Sequence, residues 1–368
     1  MTQPKNKEYQ HKKHLVYFAS IALTLMILCS AIYLQLTFMF YGRALLITQS
    51  RLGVVFFYFV FFSLYSLIFT FPLSFYSGFT LEHQYQLSNQ KFGGWLWDWT
   101  KRQSLGFGIS APLILLLYFL IWTFPHAWWL LAWLGYAVFS LVLGKLFPVL
   151  IVPLFYKYSP IADQQLKKKI EALADRFGLK IQNVYSLNLS KTTKKANAAF
   201  TGLGKTKRVI LGDTLIGSFT HDEIETVLAH EIGHFKNHDI WKQFAFGTLF
   251  SLVGFWFAFH LLNHFSYQLH YDGAGDVRSF PLFSLIFFLF SLVMSPAANT
   301  FSRFAERKAD RFALDATRDK PSFISAMQKL SDMNLADPDP NPIVEFVLYD
   351  HHSIGKRIKM AERYLFSS

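Results

Sequence analysis

The sequence predicts a mostly α-helical, polytopic membrane protein of about six spans, with a small α+β segment on its cytoplasmic side. Three observations predict it. Of the 368 residues, 52% are hydrophobic and only 16% are charged, and a soluble chain needs more charge than that to cover its surface. Five stretches, 14–42, 52–81, 103–144, 243–271 and 279–302, contain no Asp, Glu, Lys or Arg. Lys and Arg are concentrated in alternate segments between those stretches.

A helix needs about 20 apolar residues to cross the hydrocarbon core. Four of the stretches suit one crossing each. The stretch from Gln103 is long enough for two, with Pro125-His126 as the hairpin between them. Spans are therefore expected near 15–40, 54–77, 105–124, 127–150, 242–264 and 280–299. The first is too long, and too uncharged at its far end, for a cleaved signal peptide. Lys5, Lys7, Lys12 and Lys13 place the N-terminus in the cytoplasm under the positive-inside rule. Segments 78–103, 156–241 and 300–368 then share that side and hold most of the basic residues. The outer loops keep Arg43, Arg51 and Arg278. Both termini are expected to be cytoplasmic. The formal net charge of +12 follows from this placement. No binding motif accompanies it, so no nucleic-acid partner is expected. The single cysteine, Cys29, can form neither an intramolecular disulfide nor a cysteine metal site, and is expected as a small apolar packing residue.

Two regions are expected: 1–155 with four spans, and 156–368 with spans five and six. In the polar segment before span five, Ala162 to Phe177 reads as an amphipathic helix with Leu166, Ile170, Leu173 and Phe177 on one side. Ile181 to Asn188 reads as a strand. Ala196 to Thr201 and Arg208 to Leu215 read as two more, joined by the turn Gly202-Leu203-Gly204-Lys205. Thr220 and Glu223 have the spacing of a capping box. The helix they open is expected to continue into the fifth span.

That helix contains His230-Glu231-Ile232-Gly233-His234. Histidines four apart share one helical face, so both can bind a single zinc ion. Glu231 can then serve as general base towards a water activated by the ion, as peptide hydrolysis requires. The flanking Ala229, Ile232 and Gly233 are small or apolar, which fits an interior helix. A glutamate there is costly without a partner ion. A hydrolytic zinc site needs a third protein ligand. Glu306 and Asp310 lie four apart just after the sixth span. Glu306 can complete the ligand set, and Asp310 can orient a histidine ring or assist proton transfer. By spacing alone the pair also reads as a solvated face among Arg303, Arg307, Lys308 and Arg311.

HEIGH on a helix entering a span, followed by SRFAERKAD (302–310) after the next span, resembles the type I CaaX prenyl endopeptidase family. LFPVLIVPLFYKYSP (146–160), ANAAFTGLGKTKRVILGDTL (196–215), Leu81 to Trp99 and YDHHSIGKRI (349–358) resemble further segments of that family, in the same order. The resemblance implies one zinc ion per chain held by His230, His234 and Glu306, with Glu231 as base. It implies a proton-donor or histidine-orienting role for Asp310. It implies that His351 and Arg357 steady the substrate and the tetrahedral intermediate, and that Asn197 belongs to an edge strand that pairs with substrate backbone. It also implies spans that enclose a water-filled intramembrane chamber, with a small α+β zinc-peptidase domain on the cytoplasmic side. The reaction implied is endoproteolysis of peptide or protein substrates, either CaaX-type tails, prenylated ones included, or damaged membrane proteins. The short chain favours a prokaryotic member in the cell inner membrane; a eukaryotic one would sit in the endoplasmic reticulum. Two departures stand out. His352 occupies the position where the family usually has Pro, and six spans are counted where eukaryotic members have seven. His260, His264 and His270 lie outside the matched motifs. An HtpX-type quality-control protease is an alternative reading. A site-2 protease would need an Asn-x-Asp-Gly partner, which does not follow downstream. A non-catalytic scaffold would have no use for Glu231.

Overall fold

The computed structural model describes residues 3–201 and 208–366. Apolar composition is translated into long helices: α1 (Gln3–Tyr33), α3 (Arg51–Phe75), α5 (Phe92–Thr123), α6 (Trp128–Leu146), α10 (Asp239–Gln268) and α11 (Phe280–Thr317). Each of these lies in a segment long and apolar enough to cross a membrane, which gives six candidate spans among the described residues. Helix α3 continues through a π-helical turn, Tyr76–Thr80, into the short α4 (Leu81–Gln84). The hairpin at Pro125-His126 falls between α5 and α6 as expected.

The first span needs correction. It is α1, and it does not continue to residue 40. Gln35 adopts the left-handed conformation (φ 53°), and a separate 12-residue helix α2 (Leu36–Ile47) follows. At 1.5 Å per residue α2 is about 18 Å long, too short to cross a core of about 30 Å. Cys29 is also corrected: it is exposed on the outside of α1 rather than packed within.

The long helices are buried mainly towards their two ends, and between those ends they meet at scattered contacts such as Phe71 on Trp99 and Phe246 on Phe301. Helix α1 is buried at Asn6 and Tyr9, then again only from Ile27. Helix α3 is buried from Val54 to Phe62 and has no buried residue through Phe75. In α5 the gap runs from Asp98 to Ala111. In α10 it runs from Asp239 to Gly254, and in α11 from Ile286 to Arg303. Pro72 and Pro296 sit in two of these gaps. Proline removes a backbone hydrogen bond and favours a bend in the helix. One apolar core closes the far end, built on Tyr58, Tyr118, Trp128 and Phe280. The near end is closed by the second core.

That second core gathers the polar segment around the end of α11. It contains α7 (Gln164–Arg176), α9 (His221–Lys236), α12 (Lys320–Asn334), α13 (Pro342–Leu348) and α14 (Ile354–Glu362) at or near its boundary. Leu166, Ile170 and Leu173 of α7 are buried on one side, as their spacing predicts. Four strands, β1 (Tyr158–Pro160), β2 (Asn183–Leu187), β3 (Ala198–Thr201) and β4 (Arg208–Gly212), form a sheet in the order β1-β2-β4-β3. Strands β2 and β4 are parallel with Tyr185 beside Ile210, and β3 is antiparallel to β4 with Ala199 beside Ile210. Strand β3 is therefore an edge. The last expected strand is shorter than its sequence suggests. It ends at Gly212, and α8 (Asp213–Ile216) follows, because Asp213 turns back to accept the Ser190 amide at 2.9 Å. The expected turn 202–205 lies outside the described residues.

Thr220 and Glu223 form the capping box: each side chain accepts the other residue's backbone N–H, at 3.3 and 2.7 Å. The expectation of one continuous helix into the fifth span is corrected. Helix α9 stops at Lys236, His238 takes the left-handed conformation (φ 55°), and α10 starts at Asp239.

Candidate active site

Helices α9 and α11 pack at backbone distance. A Cβ added to Gly233 would stand 3.0 Å from Ala309 Cα, so only glycine permits this approach. Ala305, Ala309 and Ala313 keep the facing side of α11 equally thin, and all are buried. The crossing brings the two histidines of α9 against Glu306. His230 Nε2 and His234 Nε2 are 3.2 Å apart. His230 Nε2 lies 3.2 Å from Glu306 Oε2, and His234 Nε2 lies 3.2 Å from Glu306 Oε1.

The other ring nitrogens are anchored by carboxylates. His230 Nδ1 meets Asp310 Oδ1 at 2.9 Å, and His234 Nδ1 meets Asp239 Oδ2 at 3.0 Å. Each carboxylate takes an Nδ1–H, which fixes the tautomer and leaves both Nε2 atoms as acceptors. Two nitrogen lone pairs and a carboxylate then converge with no proton among them. Glu306 Oε2 is buried without a hydrogen-bond donor among the described residues. A cation satisfies all three. Zinc ligands stand about 2.0–2.2 Å from the ion, and a tetrahedral arrangement then separates neighbouring donors by about 3.3 Å. The observed spacings match that edge, so the residues fit a metal ion.

Around this group lie the remaining candidates. Glu231 is half-buried, and its carboxylate has no hydrogen-bond donor among the described residues. Arg357 is buried and doubly bound to Asp310, with Nε 2.9 Å from Oδ2. The structure thus ties Arg357 to the acid that holds His230. His351 is half-exposed, with Nε2 3.2 Å from Glu306 Oε1 and Nδ1 2.8 Å from Asp350 Oδ1. Asn197 is exposed, one residue before β3, and its carbonyl accepts the Gly212 N–H at 2.8 Å. No hydrogen bond or ion pair among the described residues joins Asn197 to the metal group.

Several functional residues are invisible in the motif reading. Asp239 is one. Arg303 is another: it is buried and donates to the carbonyls of Glu345 and Phe346, at 3.2 and 3.3 Å. Glu345 accepts the Ser353 amide at 3.0 Å and pairs with Lys356. Together they hold the turn that carries His351. His352, in place of the usual Pro, accepts from Arg307 at 3.2 Å. Burial and the Arg307 charge push its pKa below the ordinary histidine value, so it remains neutral and keeps that bond.

Comparison with known proteins agrees along the whole chain. Residues 160–365 match the profile of peptidase family M48. Residues 2–157 match the CAAX prenyl protease N-terminal region, described as five membrane helices; here four spans and the short α2 occupy it. The uncharacterized metalloprotease YhfN of Bacillus subtilis is 32% identical over 309 residues, covering 82% of this chain and 71% of that one. CAAX prenyl protease 1 of Saccharomyces cerevisiae is 30% identical over 308 residues, covering 78% and 67%. The crystal structure of S. mikatae Ste24p matches with a TM-score of 0.88 at 26% identity, over 99% of this chain and 89% of that one. The hollow between the spans is thus the membrane chamber of that fold. The chain belongs to peptidase family M48, among the type I CaaX prenyl endopeptidases, and is a membrane-embedded metallopeptidase.

Proposed function

We propose that the metal is zinc, one ion per chain, held by His230, His234 and Glu306, and that the enzyme cleaves peptide bonds with Glu231 as general base. The observation that carries this is the convergence of two Nε2 atoms 3.2 Å apart, each also 3.2 Å from one of the two carboxylate oxygens of Glu306. A zinc ion there would polarise the scissile carbonyl and acidify the attacking water. Glu231 is free of other donors, so its carboxylate can accept the water's proton and pass it to the leaving nitrogen. Asp310 holds His230 at Nδ1, and Arg357 holds Asp310, so the ring cannot turn its Nε2 away. His351, whose Nε2 is 3.2 Å from Glu306 Oε1, would donate to the oxyanion that develops on the carbonyl oxygen.

The edge of β3 is the track for an extended peptide, with Asn197 at its start. Pairing through backbone groups tolerates many sequences. This suits CaaX-type C-terminal tails, prenylated tails among them, and damaged membrane proteins. The basic segments support a cytoplasmic side for both termini, in the inner membrane if the cell is prokaryotic and in the endoplasmic reticulum if it is eukaryotic, with residues 1–155 as the membrane region and 156–368 as the peptidase region. Purified protein is expected to carry about one zinc per chain by elemental analysis. Glu231→Gln should retain that zinc and lose peptide hydrolysis by at least about a thousandfold. Absence of zinc in the active protein, or full turnover by Glu231→Gln, would overturn the reading.

A further inference from the structure

A cavity of about 1090 Å³ opens beside the start of β3, between α1, α5, α6 and the sheet. Ligand sites for small molecules occupy about 300–1,000 Å³, so the space admits the end of an extended peptide. Its walls are largely apolar, with Leu105, Ile109, Leu143 and Phe147 from the spans. Its charge is one-sided. Lys13, Arg102 and Lys195 line it, and no acidic residue does.

The three cations are not equivalent. Lys195 is already satisfied by Glu82 at 2.7 Å and by the Tyr9 hydroxyl at 3.0 Å. Asp98, one turn from Arg102 on α5, is held by Lys101 at 2.7 Å. Lys13 and Arg102 form no ion pair among the described residues. Both side chains are exposed to the cavity. Lys13 stands 5.7 Å from the centre of the Tyr9 ring, so the two cations lack an acidic partner, and beside apolar walls they favour an anion attached to an apolar body.

We propose that this cavity is a subsite for the free C-terminal carboxylate of a peptide lying along β3, received by Lys13 and Arg102. It rests on the reading of β3 as the substrate track. Strand polarity supplies the direction. Lys195, Ala196 and Asn197 line the cavity and lead directly into β3. A peptide added antiparallel to β3 ends its chain at that side, so its carboxylate enters the basic cavity. A parallel peptide would bring a cationic N-terminus there, against two lysines and an arginine. The enzyme therefore favours tails that end in a free carboxylate. An anionic lipid headgroup shares the charge but would not need Asn197 and the strand in the same wall.

The test is a binding comparison on the full-length, zinc-loaded Glu231→Gln protein, which does not depend on turnover. A fluorescein-labelled heptapeptide with apolar C-terminal residues is offered as the free acid and as the carboxamide, with fluorescence anisotropy as the readout. Charge-assisted hydrogen bonds to a carboxylate predict that the acid binds about tenfold or more tighter. Lys13→Gln and Arg102→Gln should each weaken the acid and leave the amide unchanged, with zinc content unaltered. Lys13→Arg should restore the preference. Equal binding of acid and amide, or equal weakening of both by the variants, would overturn the proposal. So would variants that keep the acid preference but lose binding of phosphatidylglycerol vesicles relative to phosphatidylcholine ones. A mistaken proteolytic reading would show separately, as no hydrolysis of either peptide by the unsubstituted protein.

Discussion

Two stretches of α11 are packed on opposite terms. Near Glu306 the helix lies against α9 at backbone distance, with alanines and a glycine between them and a buried polar network threaded through. Between Ile286 and Arg303 it has no buried residue and a proline at 296. The first region is a rigid mount: two histidines, three carboxylates and an arginine are fixed by one another. The second is a wall with empty space beside it. Chemistry needs donors held to a few tenths of an ångström, whereas a chamber needs only helices that do not collapse. The same helix supplies both: Ala305, Ala309 and Ala313 make a thin buried face at the crossing, whereas the stretch before it carries large side chains such as Phe287, Phe288 and Phe290.

If that division is right, damage at the crossing should far exceed damage in the wall. The largest effect is expected from Glu306→Ala. It removes one of three donors and opens the site, so zinc content should fall below about a tenth of the wild-type value, and hydrolysis should fall at least about a thousandfold. Unchanged zinc by elemental analysis would remove Glu306 from the ligand set. A smaller effect is expected from Asp239→Asn. The amide is a weaker partner for His234 Nδ1–H than the carboxylate is, and losses in such outer partners cost about 10–100-fold in metal affinity. Competition with a chelator measures this. An affinity equal to wild type would make Asp239 a helix cap and nothing more.

Asp239 also shows where the sequence stops being legible. The six spans follow from apolar length, and His230 and His234 from their spacing of four on a helix, whereas Glu306 and Asp310 read equally as a solvated face until the family resemblance singles them out. Asp239 is five residues after His234. On a continuous helix it would point about 140° away from that ring. Only the left-handed residue at His238 swings it back, and nothing in the apolar periodicity announces that break. Arg303 and Glu345 were hidden differently. Arg303 sits among four basic residues that read as a solvated face, yet it is buried against a turn more than forty residues later. The division of residues 14–42 between α1 and α2 was likewise unreadable, because uniform apolar composition carries no signal for a turn. The hollow itself depends on where helices cross, which composition does not encode.

The smallest effects give the sharpest version of the contrast, because the same substitution can be placed in both regions. Gly233→Ala puts a Cβ 3.0 Å from the Ala309 backbone and 3.2 Å from Phe312 Cβ. Backbone cannot yield as a flexible side chain can, so the helices must part, at a cost of about 1–3 kcal/mol. Parting them also moves His230 and His234 from Glu306, so weaker zinc retention should accompany the loss of thermal stability. Gly247→Ala adds a Cβ in the wall stretch of α10, with no other heavy atom within 4 Å. There only helix propensity acts, and alanine is favoured by about 0.5–1 kcal/mol. The expected pair of results is a lowered melting temperature with weakened metal binding for Gly233→Ala, and an equal or raised one with unchanged zinc for Gly247→Ala. Equal losses in both would mean that the surroundings of Gly247 are packed as tightly as those of Gly233, and that this stretch of α10 does not border open space.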